Sequence, residues 1–482
     1  MRTNRGAEKQ QAEVVVVGTG PGGATSAHIL AEHGREVLLL EEGPDLPLES
    51  CPPFSVEEMV QKYRAGGLNP ALGNAKLTFV EARTVGGGSE INSGLYHRTP
   101  AEILERWRDD FKVRESLESD LLPHFEYCEQ ALGVGTYPGL PPLASRKLEE
   151  GAKALGWRAC EVPRWFKYHR APGPDGCADG TRQSMTKTFL PRALQAGARL
   201  LPETYAQRLV RSTNGWKISA IRKGKLIEIR ARTVFICGGA LQTPLLLRRS
   251  GITKNVGNSL AMHPTAKVVA RFNDQVNHEA LGVAVHQVKE FSPRISFGCS
   301  VSSRPHLALA LSDYPELGRK IGEQWRHMAV YYAMITGPHT GTIRPVFGLR
   351  DPLIRYSLSA LDLQDLSTAL RRLARLLLAA GATTVYPAMP DSRPITAEDE
   401  LSAIPSELPA SRSNLMTIHL FSSCPMGEDA ARCATNSMGR VHGTNGLIVN
   451  DASLIPTAPG VNPQGTVMAL ARRNTLHFLG KL

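Results

Sequence analysis

Several features that mark special classes of protein are scarce or absent in this sequence. No run of about eighteen uncharged apolar residues occurs, so no transmembrane helix is predicted. The first apolar run, residues 14–17, is too short for the core of a signal peptide, and we therefore expect a cytoplasmic protein. The 44 glycines and 33 prolines among 482 residues stay well below the roughly 25–30% that is typical of disordered proteins.

Paired cysteines and long basic runs are absent as well. The eight cysteines include no C-x-x-C pair, so the sequence predicts neither a zinc site nor a thioredoxin-type redox couple, and no other metal site is expected. The formal net charge of +11 comes from lysines and arginines that are dispersed along the chain. A dispersed excess of this kind indicates a basic surface, and no nucleic-acid partner is predicted.

The N-terminal segment has the pattern of a βαβ unit that binds a dinucleotide. Residues 14–17 are a β-branched run typical of a buried strand, and the turn Gly18-Thr19-Gly20-Pro21-Gly22-Gly23 follows at once. In such a turn Gly18 permits the tight bend, Gly20 lets a pyrophosphate approach the backbone, and Gly23 lets helix and strand pack closely. A second buried strand, residues 37–40, ends at Glu41, which is placed to bind a ribose, with Glu42 as the alternative.

Two strings near the C-terminus carry polar groups suited to chemistry. His419 follows the strand-like residues 415–418, and Asn462 precedes Pro463 and a helix that begins near Thr466. Taken alone, a histidine in such a place is more often structural than catalytic, and Asn462 equally fits a helix N-cap. Whether His419 and Asn462 are catalytic therefore has to be judged from motifs elsewhere in the chain.

Five motifs in this order resemble those of the glucose-methanol-choline (GMC) flavoprotein oxidoreductases. They are the dinucleotide turn, residues 83–94, residues 238–252, the string Asn258-Ser259-Leu260-Ala261-Met262-His263-Pro264, and the paired His419 and Asn462 strings. Residues 83–94 resemble the first signature of the family, and residues 238–252 resemble its second signature almost letter for letter. The resemblance extends from residue 14 to residue 473.

The resemblance implies an α/β fold with two parts. A Rossmann-like, doubly wound FAD-binding domain would be assembled from the separated segments 12–105, 191–262 and 410–482. Segments 106–190 and 263–409 would form an α+β substrate domain with a large, mainly antiparallel sheet. We expect residues 267–272 and 328–335 to form antiparallel strands, and residues 366–380 have helical spacing.

The resemblance also assigns roles to individual residues. His419 matches the active-site histidine of the family and Asn462 matches its partner, where many relatives have a second histidine. Ile91 stands where some relatives attach the flavin to a histidine, so the FAD is expected to be noncovalent. Glu90 has no assigned role and is expected to be a solvated loop carboxylate, and His263 is expected to be structural. The residues expected to bind the cofactor are Gly18, Gly20, Gly23, Glu41, Gly87, Ser89, Asn92, Ala206, Asp451, Ala452 and Gln464.

The reaction implied is FAD-dependent oxidation of an alcohol to an aldehyde or ketone, with hydride transfer to flavin N5. We expect His419 to be the general base, because the ordinary pKa of histidine, about 6.5, suits removal of a hydroxyl proton near neutral pH. The expected partners are a small-molecule alcohol and either oxygen or another electron acceptor. Three alternatives remain open: a redox-inactive flavoprotein lyase of the same family, an NAD(P)-dependent dehydrogenase, and a noncatalytic basic binding protein. The sequence defines neither the alcohol nor the oligomeric state.

Overall fold

The computed structural model describes residues 8–170, 180–279, 284–317, 321–389 and 391–482. Within these residues the strands are β1 Glu8–Val17, β2 Val37–Leu40, β3 Asn69–Ala71, β4 Lys76–Phe79, β5 Ala159–Glu161, β6 Phe166–Tyr168, β7 Gly180–Arg182, β8 Arg199–Leu201, β9 Thr204–Ser212, β10 Gly215–Arg222, β11 Lys225–Ile236, β12 Ala261–Met262, β13 Thr265–Arg271, β14 His286–Val288, β15 Ile295–Cys299, β16 Met328–Ile335, β17 Thr342–Arg344, β18 Leu353–Arg355, β19 Thr384–Pro387, β20 Asn414–Thr417, β21 Leu420–Phe421 and β22 Leu447–Val449. The helices are α1 Pro21–Glu32, α2 Val56–Lys62, α3 Ala101–Phe111, α4 Glu118–Leu132, α5 Leu143–Ala154, α6 Phe189–Gln195, α7 Gly239–Arg249, α8 Arg304–Ala310, α9 Ile321–Gln324, α10 Ala360–Ala379 and α11 Gln464–Phe478.

The predicted βαβ unit at the N-terminus is confirmed. Strand β1 pairs in parallel with β2, and α1 forms the crossover between them. Val14, Val15 and Val16 of β1 and all four residues of β2 are buried, as expected for strands covered on both faces. Helix α1 ends just before Gly34, whose φ of 73° lies in the left-handed region that favours glycine after a helix.

A seven-stranded sheet surrounds this unit. Its order is β8-β2-β1-β11-β10-β9, and β22 pairs with β11 beside that path. Strands β8, β2, β1, β11 and β22 form the parallel part of the sheet. On its remaining side β11 pairs with β10 in the antiparallel direction, and β10 pairs in the same way with β9. Helices α6 and α11 pack against α1. This is the doubly wound, Rossmann-like arrangement that the sequence predicts.

The second large sheet has nine strands and is mainly antiparallel, which confirms the predicted fold class. Its order is β3-β4-β20-β13-β16-β15-β14-β5, with β19 paired to β13. Only the pairing of β4 with β20 is parallel among the strand pairs that the described residues form in this sheet. Helices α5 and α10 pack against each other and cover this sheet.

The predicted division into two domains stays a prediction, but the strands show how the segments are used. All seven strands of the smaller sheet lie in or next to the segments predicted to bind FAD. Strands β3, β4 and β20 also come from those segments, yet they pair within the larger sheet. The two sheets are therefore joined by chain that passes between them several times.

Two predicted helices are present and are longer than their apolar patterns. The helix predicted over residues 366–380 begins at Ala360, because a capping box precedes it: Ser359 Oγ accepts from the backbone N–H of Asp362, and the Asp362 carboxylate accepts from the N–H of Ser359. The last helix runs from Gln464 to Phe478. None of the helices in the described part of the chain combines the length and apolar character that crossing a bilayer needs.

Candidate active site

A cavity of about 780 Å³ is lined by residues of both large sheets. It extends from the glycine turn after β1 to His419 and Asn462, and continues along the face of the larger sheet past Thr265. A volume of this size is in the range that small-molecule and cofactor sites occupy in proteins. Most of the residues that the sequence predicts to bind a cofactor meet on its wall: Gly18, Gly20, Glu41, Gly87, Asn92, Ala206, Asp451, Ala452 and Gln464.

The three glycines of the turn have different spatial constraints. A Cβ on Gly18 would lie 2.2 Å from the carbonyl oxygen of Cys237, and its φ is 102°. A Cβ on Gly23 would lie 2.0 Å from the carbonyl oxygen of Gly18, so Gly23 lets α1 pack on the turn and does not line the cavity. Around Gly20 the nearest atom is Gly87 Cα at 3.9 Å, so a side chain there would fit the protein but enter the cavity. This open cradle fits the pyrophosphate of FAD.

Two helices begin at the cavity wall. Gly20 is the N-cap of α1 and Pro463 is the N-cap of α11, and neither helix start has a side-chain cap. The free N–H groups and the positive end of each helix dipole therefore point toward the cavity and favour negative charge there. Within the cavity wall, Asn92 Nδ2 donates to Gln464 Oε1 at 2.7 Å. This bond connects residues 83–94, which contain the glycine-serine turn Gly86-Gly87-Gly88-Ser89, to the start of α11.

Glu41 and Glu42 have different hydrogen-bond partners within the protein. Glu41 accepts hydrogen bonds from the N–H and hydroxyl of Thr19 and from the N–H of Gly43, and burial raises its pKa against these bonds. Glu42 accepts two hydrogen bonds from the buried guanidinium of Arg64, which lowers its pKa although burial acts to raise it. Glu42 also pairs with Arg350 at 2.8 Å. Oε2 of Glu41 accepts both bonds from Thr19, but Oε1 accepts only one bond and keeps a lone pair for a ribose, whereas Glu42 is committed to guanidinium groups.

The carboxylate of Asp451, at the cavity wall, accepts hydrogen bonds from two separate segments of the protein. One carboxylate oxygen accepts from the N–H of Gly239 at 2.8 Å and the hydroxyl of Thr243 at 2.5 Å, and the other accepts from the N–H and hydroxyl of Ser453. These four bonds join the start of α7 to the 3-10 helix Ala452–Leu454. The Asp451 side chain is therefore engaged by the protein itself, and the Asp451–Ala452 backbone borders the cavity.

The prediction that Glu90 is a solvated loop carboxylate is wrong. Only 1% of Glu90 is exposed, and its carboxylate accepts from Thr186 Oγ1 at 3.0 Å and lies 3.3 Å from Ser89 Oγ. Burial raises the pKa of Glu90. Ser89 is fully buried as well, donates to the carbonyl of Gly86 and accepts from the N–H of Met185, so it lies behind the cavity wall and does not line it. Both side chains pack behind the glycine-serine turn, on the side away from the cavity.

The two predicted catalytic side chains lie together. Asn462 Nδ2 is 3.3 Å from His419 Nε2, and both residues are partly exposed to the cavity. On its other side His419 Nδ1 is 3.0 Å from Nδ1 of the fully buried His263. Burial, followed by the charge of Lys289, lowers the pKa of His419 to about 4, so the imidazole is neutral at neutral pH.

The hydrogen-bond partners of the two histidines decide where their protons lie. The backbone N–H of Gly460 donates to His263 Nε2 at 3.1 Å, so neutral His263 carries its proton on Nδ1. That proton points at Nδ1 of His419, and neutral His419 therefore carries its own proton on Nε2. A half-turn of the Asn462 amide presents its oxygen to this N–H, and a matching half-turn of the Gln287 amide keeps the hydrogen bond between the two amides. In the resting protein His419 Nε2 is thus a hydrogen-bond donor.

Sequence reasoning missed three members of this network. Gln287 Nε2 is 3.2 Å from Asn462 Oδ1 and 2.9 Å from the hydroxyl of Tyr332, and its Oε1 is 3.1 Å from His97 Nε2. Burial lowers the pKa of His97 to about 3, so this ring is neutral too. The sequence gives no signal for Gln287, because its strand β14 reaches the site only through sheet pairing.

Comparison with known proteins agrees with this arrangement. Two GMC oxidoreductase family models match residues 49–265 and 344–471, and a Rossmann-like NAD(P)-binding domain model matches residues 16–49. A GMC-type oxidoreductase of Sinorhizobium fredii is 36% identical over 96% of this chain and 94% of its own length. A long-chain-alcohol oxidase of Arabidopsis thaliana is 26% identical over 97% of this chain and 68% of its own length.

A solved structure shares the fold. Pyridoxine 4-oxidase from Mesorbium loti superposes with a TM-score of 0.74 at 18% identity, covering 97% of this chain and 99% of that chain. Together with the family matches, which span more than half of the chain, this accounts for both large sheets and for the glycine turn. The chain therefore belongs to the GMC oxidoreductase family, and it is an FAD-dependent oxidoreductase of the alcohol-oxidising type.

Proposed function

We propose that this protein oxidises an alcohol to an aldehyde or ketone, with His419 as general base, and that oxygen or another acceptor reoxidises the cofactor. The observation that carries the proposal is the 3.3 Å contact between His419 and Asn462 on the wall of the cavity that begins at the dinucleotide turn. FAD bound there supplies the two-electron acceptor for the hydride that leaves the alcohol carbon. The hydroxyl proton must leave in another direction, and His419 Nε2 is the atom placed to take it.

The amide of Asn462 orients the alcohol oxygen. Its side chain is held between His419 Nε2 and Gln287 Nε2, so it can bind the substrate oxygen while its own position stays fixed. Correct placement of the alcohol carbon and its hydrogen accounts for a large part of the rate that such a site can provide.

For His419 Nε2 to accept the hydroxyl proton, its resting proton must move. The base-competent tautomer carries the proton on Nδ1, facing His263, and this requires His263 to carry its own proton on Nε2 against the N–H of Gly460. Loss of that one buried hydrogen bond costs about 1–3 kcal/mol. The cost is modest beside the barriers that enzymes lower, so the base form is accessible during turnover.

In this proposal the cofactor is held noncovalently. Gly18, Gly20 and Glu41 hold the adenosine diphosphate, Gly87 and Asn92 follow the pyrophosphate and flavin, and the backbone of Ala206 lies near the adenine. The Asp451–Ala452 backbone and Gln464 reach the ribityl chain and ring, while Gly23 and Ser89 act by packing. Ile91 lines the cavity and has no nucleophilic atom with which to form a bond to the flavin.

The test is anaerobic reduction of the bound flavin by a panel of alcohols, followed in a stopped-flow instrument. His419→Ala is expected to keep its FAD but to reduce it at least about a hundredfold more slowly, because the base is lost. His477→Ala, at an exposed position on α11, is the matched control and should behave as wild type. Unchanged reduction in His419→Ala removes His419 from the mechanism, and failure of every alcohol to bleach the wild-type flavin favours the redox-inactive lyase.

A further inference from the structure

The part of the cavity beyond His419 is formed by one face of the larger sheet. In the antiparallel register Lys267 of β13 lies opposite Tyr332 of β16, and Thr265 lies opposite both Met334 and Met416. These side chains alternate with buried ones and all point into the cavity. The rest of this region is mostly apolar and includes Val301, Leu309, Ala310 and Ala388.

Lys267 is the unusual member of this wall. Its ammonium has no hydrogen-bond or ion-pair partner among residues 8–170, 180–279, 284–317, 321–389 and 391–482. Burial alone lowers its pKa to about 8, so at neutral pH the group is still mainly charged. Lys267 is only partly exposed, and a charge held away from bulk water without a counterion is costly, so proteins retain one chiefly where a ligand or a reaction supplies its partner.

Within the described residues, none of the carboxylates on the cavity wall is a counterion for Lys267. Glu41 and Asp451 are hydrogen-bonded in the nucleotide-binding half, and Glu42 and Glu81 are both paired with Arg64. All four therefore belong to the other end of the cavity. The end near Lys267 carries an uncompensated positive charge.

A second donor faces the same space. His306 of α8 lines the cavity, and its Nδ1 is 2.7 Å from Ser303 Oγ. When that hydroxyl donates to Nδ1, the ring proton lies on Nε2, which is free to donate to a ligand. Burial, followed by the charge of Lys267, lowers the pKa of His306 to about 4, so the ring stays neutral. One ammonium and one neutral N–H suit a single negative charge, such as a carboxylate, better than a phosphate dianion.

We infer that the substrate carries a carboxylate that binds Lys267 and His306, at the opposite end of an apolar chain from the alcohol. This inference rests on the proposed function, because it places the alcohol at His419. His263, which contacts His419, is four residues before Lys267, so their Cα atoms are at most roughly 14 Å apart. Together with the apolar wall, this limit on the separation indicates ω-hydroxy acids as the substrate class.

The experiment compares matched substrates on the holoenzyme: an ω-hydroxy acid, its methyl ester and the unsubstituted alcohol of equal length. Wild type should prefer the acid over the ester by about ten- to a hundredfold in kcat/KM, the value of a hydrogen bond to a charged group. Lys267→Met should lose this preference through KM, and Lys267→Arg should keep most of it. Lys76→Met, at the exposed cavity mouth, is the control and should keep the wild-type preference.

A second measurement does not need turnover. Titration of the holoenzyme with a medium-chain fatty acid, which has no hydroxyl to oxidise, should change the flavin absorbance in wild type and Lys76→Met but not in Lys267→Met. Equal kcat/KM for acid and ester in wild type, or a preference that survives in Lys267→Met, overturns the inference while leaving alcohol oxidation intact. If no alcohol reduces the flavin, the proposed function fails, and the fatty-acid titration still decides whether Lys267 binds a carboxylate.

Discussion

At the scale of single residues, the position of one proton determines what His419 can do. The N–H of Gly460 fixes the tautomer of His263, and His263 in turn places the proton of His419 on the nitrogen that faces the cavity. A histidine in this state donates a hydrogen bond to an alcohol instead of accepting its proton. His263, expected from sequence to be structural, is therefore a positioning residue for His419.

Replacement of His263 tests this point. In His263→Asn the side-chain oxygen can occupy the place of Nδ1 and accept a proton from His419 Nδ1, which frees Nε2 to act as base. We expect His263→Asn to reduce its flavin with alcohols at least as fast as wild type. Because the N–H of Gly460 then loses its partner, we also expect the free energy of unfolding in urea to fall by about 1–3 kcal/mol. A loss of flavin reduction as large as that of His419→Ala would contradict this account.

How far sequence predicts such residues depends on how local their signals are. Gly20, His419 and Asn462 lie in short strings whose spacing is itself informative, and the structure places all three on one cavity. Lys267 lies in no such string. It stands out only in the folded protein, where the pairing of the strands leaves its ammonium without a hydrogen-bond or ion-pair partner among the described residues. Glu90 was expected to be solvated because the sequence does not show that Thr186, 96 residues away, packs over it.

At the scale of elements, the start of α1 separates glycines needed for folding from a glycine needed for binding. Gly20→Ala should fold normally, because its φ of −63° suits alanine and its Cβ would meet no atom closer than 3.9 Å. We expect it to purify without yellow colour, because the methyl group occupies the place where a pyrophosphate meets the helix N-terminus. FAD content per chain, measured by absorbance after denaturation, is the readout.

The control for this prediction is Gly135→Ala, at an exposed position where an added Cβ has no neighbour within 4 Å. It should retain full FAD content, and both variants should show the same far-UV circular dichroism. Gly23→Ala is expected to differ from both, since its Cβ would lie 2.0 Å from a carbonyl oxygen and force α1 away from β1. Normal FAD content in Gly20→Ala would show that the cofactor does not approach this backbone.

At the scale of the whole molecule, the two-sheet architecture could be predicted, but the exchange of strands between its parts could not. The predicted strands at residues 14–17 and 328–335 belong one to each sheet, and both are present. The pairing of Leu77 in β4 with Leu415 in β20 joins positions more than 300 residues apart. Apolar patterning shows which residues a strand buries but not which strand lies beside it, so this register has no sequence signal.

The folded protein as a whole should also be sensitive to acid, because several buried histidines stay neutral in it. His124 of α4 accepts a hydrogen bond from Arg472 of α11 at 2.6 Å, and burial, followed by the charge of Arg472, lowers its pKa to about 4. In the unfolded chain the same group titrates near 6.5. Between these two values the unfolded state binds more protons, so this histidine makes the free energy of unfolding rise with pH from about 4 to 6.5. Buried carboxyl groups with raised pKa, such as Glu58, act in the opposite direction, so the test must isolate one histidine.

His124→Gln provides that isolation. The variant should take up about one proton fewer than wild type when it unfolds at pH 5, and no difference should remain at pH 8, where the histidine is neutral in both states. The measurement is the pH dependence of the free energy of unfolding in urea, whose slope gives the proton uptake directly. His477→Gln, at an exposed position, should keep the wild-type slope. An unchanged slope in His124→Gln would mean that His124 is protonated in the folded protein, and the contact between α4 and α11 would then have to hold two positive charges side by side.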